Sequence, residues 1–63
     1  MDRKSIFLKK YANLPLALRD EIIVIIGDLP LTWNAAYLEV KNDTDKSKEI
    51  LDRLFQLEVL KNE

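Results

Sequence analysis

The nearest approach to a ligand-binding pattern in this 63-residue chain is Asp43, Asp45, Ser47 and Glu49, oxygen-bearing side chains at every second position. Such alternation opens a calcium-binding loop, but that loop also needs Gly at its sixth position and a bidentate Glu at its twelfth. Counted from Asp43, those positions hold Lys48 and Leu54. Thr44 as a helix cap, with Asp45 in the positively polarised first turn, accounts for the same residues without a metal.

The other close acidic sets are Asp20 with Glu21, and Glu39 with Asp43. General acid–base catalysis needs two carboxylates held in different environments across a cleft, and so short a chain has little room to enclose one. Ser5 and Ser47 have no histidine base, since the chain contains neither His nor Cys. That removes imidazole and thiolate chemistry, the common zinc ligands and disulfides. A single Gly, Gly27, rules out a glycine-rich phosphate loop. No cofactor and no catalytic activity of its own are expected.

Two sets of residues point to binding. Arg3, Lys4, Lys9, Lys10 and Arg19 stand against Asp2 alone in residues 1–19, whereas residues 20–63 carry ten acids and five bases. The basic segment could contact phosphates and so bind nucleic acid, or dock on acidic surface within or between subunits. The acids Asp45, Glu49, Asp52 and Glu58 in the last helical segment are the wrong charge for a groove-reading helix. The second set is apolar. Ile22-Ile23-Val24-Ile25-Ile26 is more contiguous aliphatic surface than a chain this short readily covers, because its own core is thin. Phe7, Tyr11, Ile23, Ile25, Trp33 and Tyr37 are the candidate residues for a dimer or partner interface. Trp33 and Tyr37 could instead stack on a base or ligand, but their spacing with Ala36 and Val40 is that of a packed helix face.

The elements that must carry these residues follow from pattern. Ser5–Tyr11 reads as a short helix with Phe7 and Tyr11 in contact one turn apart, ending by Asn13 because Pro15 follows Leu14. Pro15–Asp20 reads as a second helical piece. The β-branched run favours a strand, with Gly27-Asp28 as the turn of a hairpin spanning Glu21–Thr32, and Pro30 restricts the return strand to an edge. The rival is one helix from Pro15 to Ile26 stopped by Gly27, giving an all-α bundle. Thr32 caps a helix over Trp33–Lys41, with Asn34 on its exposed side. After the break at Asn42-Asp43-Thr44, residues 45–58 form the last helix, with Ile50, Leu51, Leu54, Phe55 and Leu57 as its apolar stripe. Glu49–Arg53 and Lys48–Asp52 are its candidate ion pairs.

The sum is one small α+β domain over residues 1–63, mostly helical with a two-stranded antiparallel hairpin. The expected role is a cytoplasmic protein-interaction or regulatory module. It is expected to be a homodimer in which the Ile22–Ile26 run and the N-terminal helix meet a second subunit, with a further protein partner possible. The alternative is a nucleic-acid-associated protein acting through the basic N-terminal segment. The apolar runs are too short for a membrane span and the start lacks the apolar stretch of a secretory signal.

Overall fold

The computed structural model describes residues 2–61; Met1, Asn62 and Glu63, the ends of the expected domain, lie outside the described residues. The chain forms α1 (Arg3–Ala12), a 3-10 turn (Leu16–Asp20), β1 (Ile22–Ile26), β2 (Leu29–Thr32), α2 (Trp33–Lys41) and α3 (Asp45–Gln56). This is a mostly helical α+β fold with a two-stranded antiparallel hairpin. The hairpin, and not the rival helix, is the fate of the isoleucine run.

Local chemistry sets most boundaries. Asp2 caps α1 by accepting the Ser5 amide at 2.8 Å, so the helix begins earlier than Ser5. Asn13 ends it, its amide bonding back to the Lys9 and Lys10 carbonyls. Thr32 caps α2 through a 3.1 Å bond from the Ala35 amide to its hydroxyl oxygen.

The caps at the other ends of α2 and α3 are Schellman motifs built without glycine. After α2 the Thr44 amide bonds the Glu39 carbonyl and the Asp43 amide the Val40 carbonyl, with Asp43 at φ 52°. After α3 the Val59 amide bonds the Leu54 carbonyl and the Glu58 amide the Phe55 carbonyl, with Glu58 at φ 61°. This left-handed position is usually glycine, because a Cβ there crowds the backbone. The second motif ends α3 at Gln56 and folds Leu60 into the core at 3% exposure, shortening the helix expected to reach residue 58.

Thr44 does not cap α3 with its side chain, contrary to the sequence reading. Its hydroxyl turns back to donate to the Glu39 carboxylate, and its own carbonyl accepts from the Ser47 amide and hydroxyl. The short link between α2 and α3 brings the Glu39 carboxylate within reach, and donating to it turns the Thr44 hydroxyl back toward α2 instead of onto the amides of α3.

Gly27 and Asp28 close the hairpin. Gly27 lies at φ 62°, whereas Asp28 is not among the residues of positive φ. That is the pattern of a II′ turn, whose first central residue is Gly. Pairing runs Ile26 with Leu29, Ile25 with Pro30 and Val24 with Leu31, then slips so that Ile22 faces Thr32. The slip places one extra residue, Ile23, on β1 as a bulge. Simple alternation from Val24 and Ile26 would send Ile22 into the core; the bulge turns it outward to 61% exposure.

The core forms where α1, α2 and α3 meet the inner face of the hairpin. Phe7, Val40, Ile50 and Leu54 are fully buried, joined by Ala36, Trp33, Val24, Leu31, Ile26 and Leu60. The helices therefore supply its centre and the strands its margin.

Candidate interaction surface

The structure separates the expected interface residues. Phe7 is fully buried within the chain and packs at 5.7 Å between ring centroids on Trp33, itself 6% exposed. These two have their surface consumed by the chain's own core and offer none to a second molecule. The reason is local: α1 is short and stays folded only by inserting its large aromatic residue between α2 and α3.

Tyr11 and Tyr37 are partly buried and stack on each other. The Arg19 guanidinium lies 4.4 Å from the Tyr11 centroid, so it must occupy the ring face that Tyr37 leaves free. Lys41 approaches the Tyr37 ring at 5.7 Å. With both faces of Tyr11 taken and Trp33 buried, this cluster has no open ring for base stacking. The Tyr11 hydroxyl donates to the Asn34 side-chain oxygen at 2.7 Å, and Asn34 donates in turn to Asp20 at 2.9 Å. Asn34 is thus a half-buried bridge between α1, α2 and the 3-10 turn, not the free surface residue its helix position suggested.

The basic set divides in the same way. Arg3 pairs with Asp52 and stacks over Phe55, and Lys4 pairs with both carboxylate oxygens of Asp43 at 2.9 and 3.0 Å. Arg19 donates to the Tyr11 carbonyl at 3.2 Å, while its buried Nε has no partner among the described residues. Lys9 and Lys10 remain exposed, with no ion pair among the described residues. The opposed charges of the two chain segments therefore meet inside one molecule at two points. Asp52 is drawn to Arg3 rather than Lys48, and Glu49 and Arg53 form no ion pair. The acidic run is likewise dispersed: Asp43 serves Lys4 and a helix end, and the described residues contain no group of three His, Cys, Asp or Glu able to hold a metal ion.

Several large aliphatic side chains also stay exposed. Ile22 (61%), Ile25 (56%) and Leu57 (58%) border one shallow groove between β1 and the end of α3, with Ile23, Val24 and Arg53 completing its lining. Ile23 is half-buried against the core, so of the expected strand residues Ile25 is the one that faces outward. Sequence reasoning put the Ile22–Ile26 run at a surface without singling out Ile22, and placed Leu57 in the packed stripe of α3: a bulge re-aims the first and a non-glycine helix stop turns out the second, and neither leaves a residue-type signal. Among the described residues, no helix is long and apolar enough to cross a membrane. The chain matches no protein-family model, no curated protein and no solved structure.

Proposed function

We propose that this chain works by binding, as a cytoplasmic protein-interaction or regulatory module that acts as a homodimer and has no catalytic activity of its own. The observation that carries the reading is the groove at β1, where Ile22, Ile25 and Leu57 expose large aliphatic side chains around one depression. Single exposed aliphatics are ordinary, but neighbours gathered at a concave edge favour a macromolecular partner over a small polar ligand. A cytoplasmic setting is supported by a cysteine-free sequence, which needs no oxidising compartment to fold.

Light scattering coupled to gel filtration, repeated over a wide dilution range, tests the dimer. The expected mass is about twice the 7.4 kDa of one chain at high concentration, falling on dilution. A mass of one chain at every concentration would reject homodimerisation.

A nucleic-acid role retains one specific support, the exposed Lys9-Lys10 step in the last turn of α1, which has no ion pair among the described residues. Two phosphate contacts give a weak, strongly salt-dependent attachment. An electrophoretic shift of DNA or RNA at low salt, abolished by Lys9→Glu with Lys10→Glu, would favour it over the dimer-based module.

A further inference from the structure

Ile22, Ile23, Val24 and Ile25 follow one another along β1, and all of them line the groove that Arg53 and Leu57 complete. Successive side chains of a strand point to opposite faces. Consecutive residues share one groove only where it runs along the strand's edge. The depression of about 390 Å³ therefore lies beside the outer edge of β1, between that edge and the end of α3. The edge itself is open. Ile26 and Leu29 close the two-residue hairpin and exchange both backbone hydrogen bonds, so the next pair, Ile25 and Pro30, exchanges none. The N–H and C=O of Ile25 point away from β2 and make no hydrogen bond with another element among the described residues. The matching position on β2 is Pro30, which has no N–H to offer and closes that outer edge to strand addition.

Arg53 is the one charged residue in the lining. Glu49 stands one turn before it on α3, yet Arg53 forms no ion pair with Glu49 or with any other acid among the described residues. A cation without a counter-charge thus borders an aliphatic groove beside an open strand edge. We infer that the groove takes an extended segment of another protein, one in which a carboxylate side chain stands among aliphatic ones. This rests on the binding reading above and does not depend on the homodimer. The segment adds to β1 at Ile25, whose free N–H and C=O supply its backbone hydrogen bonds. At about 3.3 Å per residue, the stretch from Ile22 to Ile25 accommodates roughly four residues of partner chain. The apolar side chains of the segment meet Ile22, Ile25 and Leu57, all exposed. Its carboxylate meets Arg53, whose planar guanidinium can bind both oxygens at once. Arg53 also repels a basic segment, so it selects among chains that a bare strand edge would accept alike. The bulge interrupts the ladder before Val24 and keeps the backbone contact short, which leaves the side chains to carry specificity. A second copy fits this site poorly. Neither strand of the hairpin contains an acid, so strand-to-strand pairing of two copies would bring Arg53 no carboxylate.

Two short synthetic peptides test the site, one alternating valine with glutamate and the other valine with lysine. Each carries a fluorescent label and is titrated with the full chain, with anisotropy as the signal. The glutamate peptide should bind about tenfold more tightly than the lysine peptide, and Arg53→Glu should reverse that order. Amide exchange on the unaltered protein gives a second readout that no substitution can disturb. The Ile25 amide should exchange more slowly once the glutamate peptide is added. Equal affinities that Arg53→Glu leaves unchanged would overturn the acidic partner. Binding that leaves the Ile25 amide unprotected would overturn addition at the strand edge, and no binding of either peptide would overturn the site. An Ile25 amide protected without peptide and released on dilution would give the edge to a second copy and reject this partner. Light scattering on the chain alone decides homodimerisation separately, so either reading can fail without the other.

Discussion

Tyr11 and Tyr37 lie face to face, with ring centroids 4.2 Å apart and planes 7° from parallel. The pair joins α1 to α2 at the border of the core, and Arg19 closes the far side of Tyr11. A geometry this close to parallel couples the two rings beyond the area they bury. In a double-mutant cycle with Tyr11→Leu and Tyr37→Leu, the coupling free energy should be about 0.5–1.5 kcal/mol. Urea unfolding of the four proteins measures it, and strictly additive losses would mean the rings merely share a surface.

Glu58 and Gly27 make opposite predictions at nearly the same backbone angle. Glu58 sits at φ 61° after α3, where glycine is preferred, so Glu58→Gly should stabilise the fold by roughly 0.5–1 kcal/mol. Gly27 sits at φ 62° with nothing within 4 Å of a Cβ placed there. Gly27→Ala therefore meets no neighbour and should cost about 1–2 kcal/mol from backbone strain alone. Thermal unfolding should move up for the first and down for the second.

Acid should loosen α1 through its cap. The Ser5 amide and then the Ser5 hydroxyl hold Asp2 below its ordinary value of 3.8. A carboxylate depressed in the folded state contributes stability that is fully present above its unfolded value. That contribution is lost as the pH falls through the lower folded value. Asp2→Asn keeps an oxygen to accept the Ser5 amide but cannot titrate. The variant should match the parent in helical circular dichroism once the pH has fallen below the lowered folded value of Asp2, and show a shallower acid transition. An unchanged transition would place the acid sensitivity at other carboxylates.

Leu54 is the centre of the apolar face of α3 and is fully buried. Leu54→Ala should cost about 2–5 kcal/mol, transfer and cavity together. That is a large share of the stability of a domain this size. Leu57→Ala, three residues on and exposed, should cost far less in the monomer. Denaturant titration at low protein concentration compares the two, and equal losses would mean that Leu57 is covered in solution.

Where position in the sequence determines a residue's environment, the sequence was readable. The spacing of Trp33, Ala36, Tyr37 and Val40 marked α2 to its last residue, because the turn of a helix brings those positions onto one side. Gly27 marked a break after Ile26, though as a residue it suited a hairpin turn or a helix stop, and the β-branched run favoured the turn. The misreadings involve partners far along the chain or backbone irregularities. Asn34 looked exposed on its own helix because Tyr11 and Asp20, which bury it, belong to other elements. Asp52 looked paired to Lys48 one turn away, yet Arg3 reaches it across 49 residues. The strand pattern alone gave no sign that β1 would take one extra residue and turn Ile22 outward. The candidate surface depended on that bulge and on the α3 terminus, so it was the least legible part.

The way α1 is held also orders the folding of the chain. Its ion pairs reach Asp43 and Asp52 across 39 and 49 residues, and its buried ring needs Trp33. The hairpin, closed by two residues, needs nothing distant and forms on a scale of about 1–10 μs. Joining distant segments carries the larger loop-closure penalty. Within residues 2–61, α1 is therefore the helix whose packing depends on partners far along the chain. Its packing cannot be completed until α3 is in place, and a two-stranded hairpin standing without that core is only marginally stable.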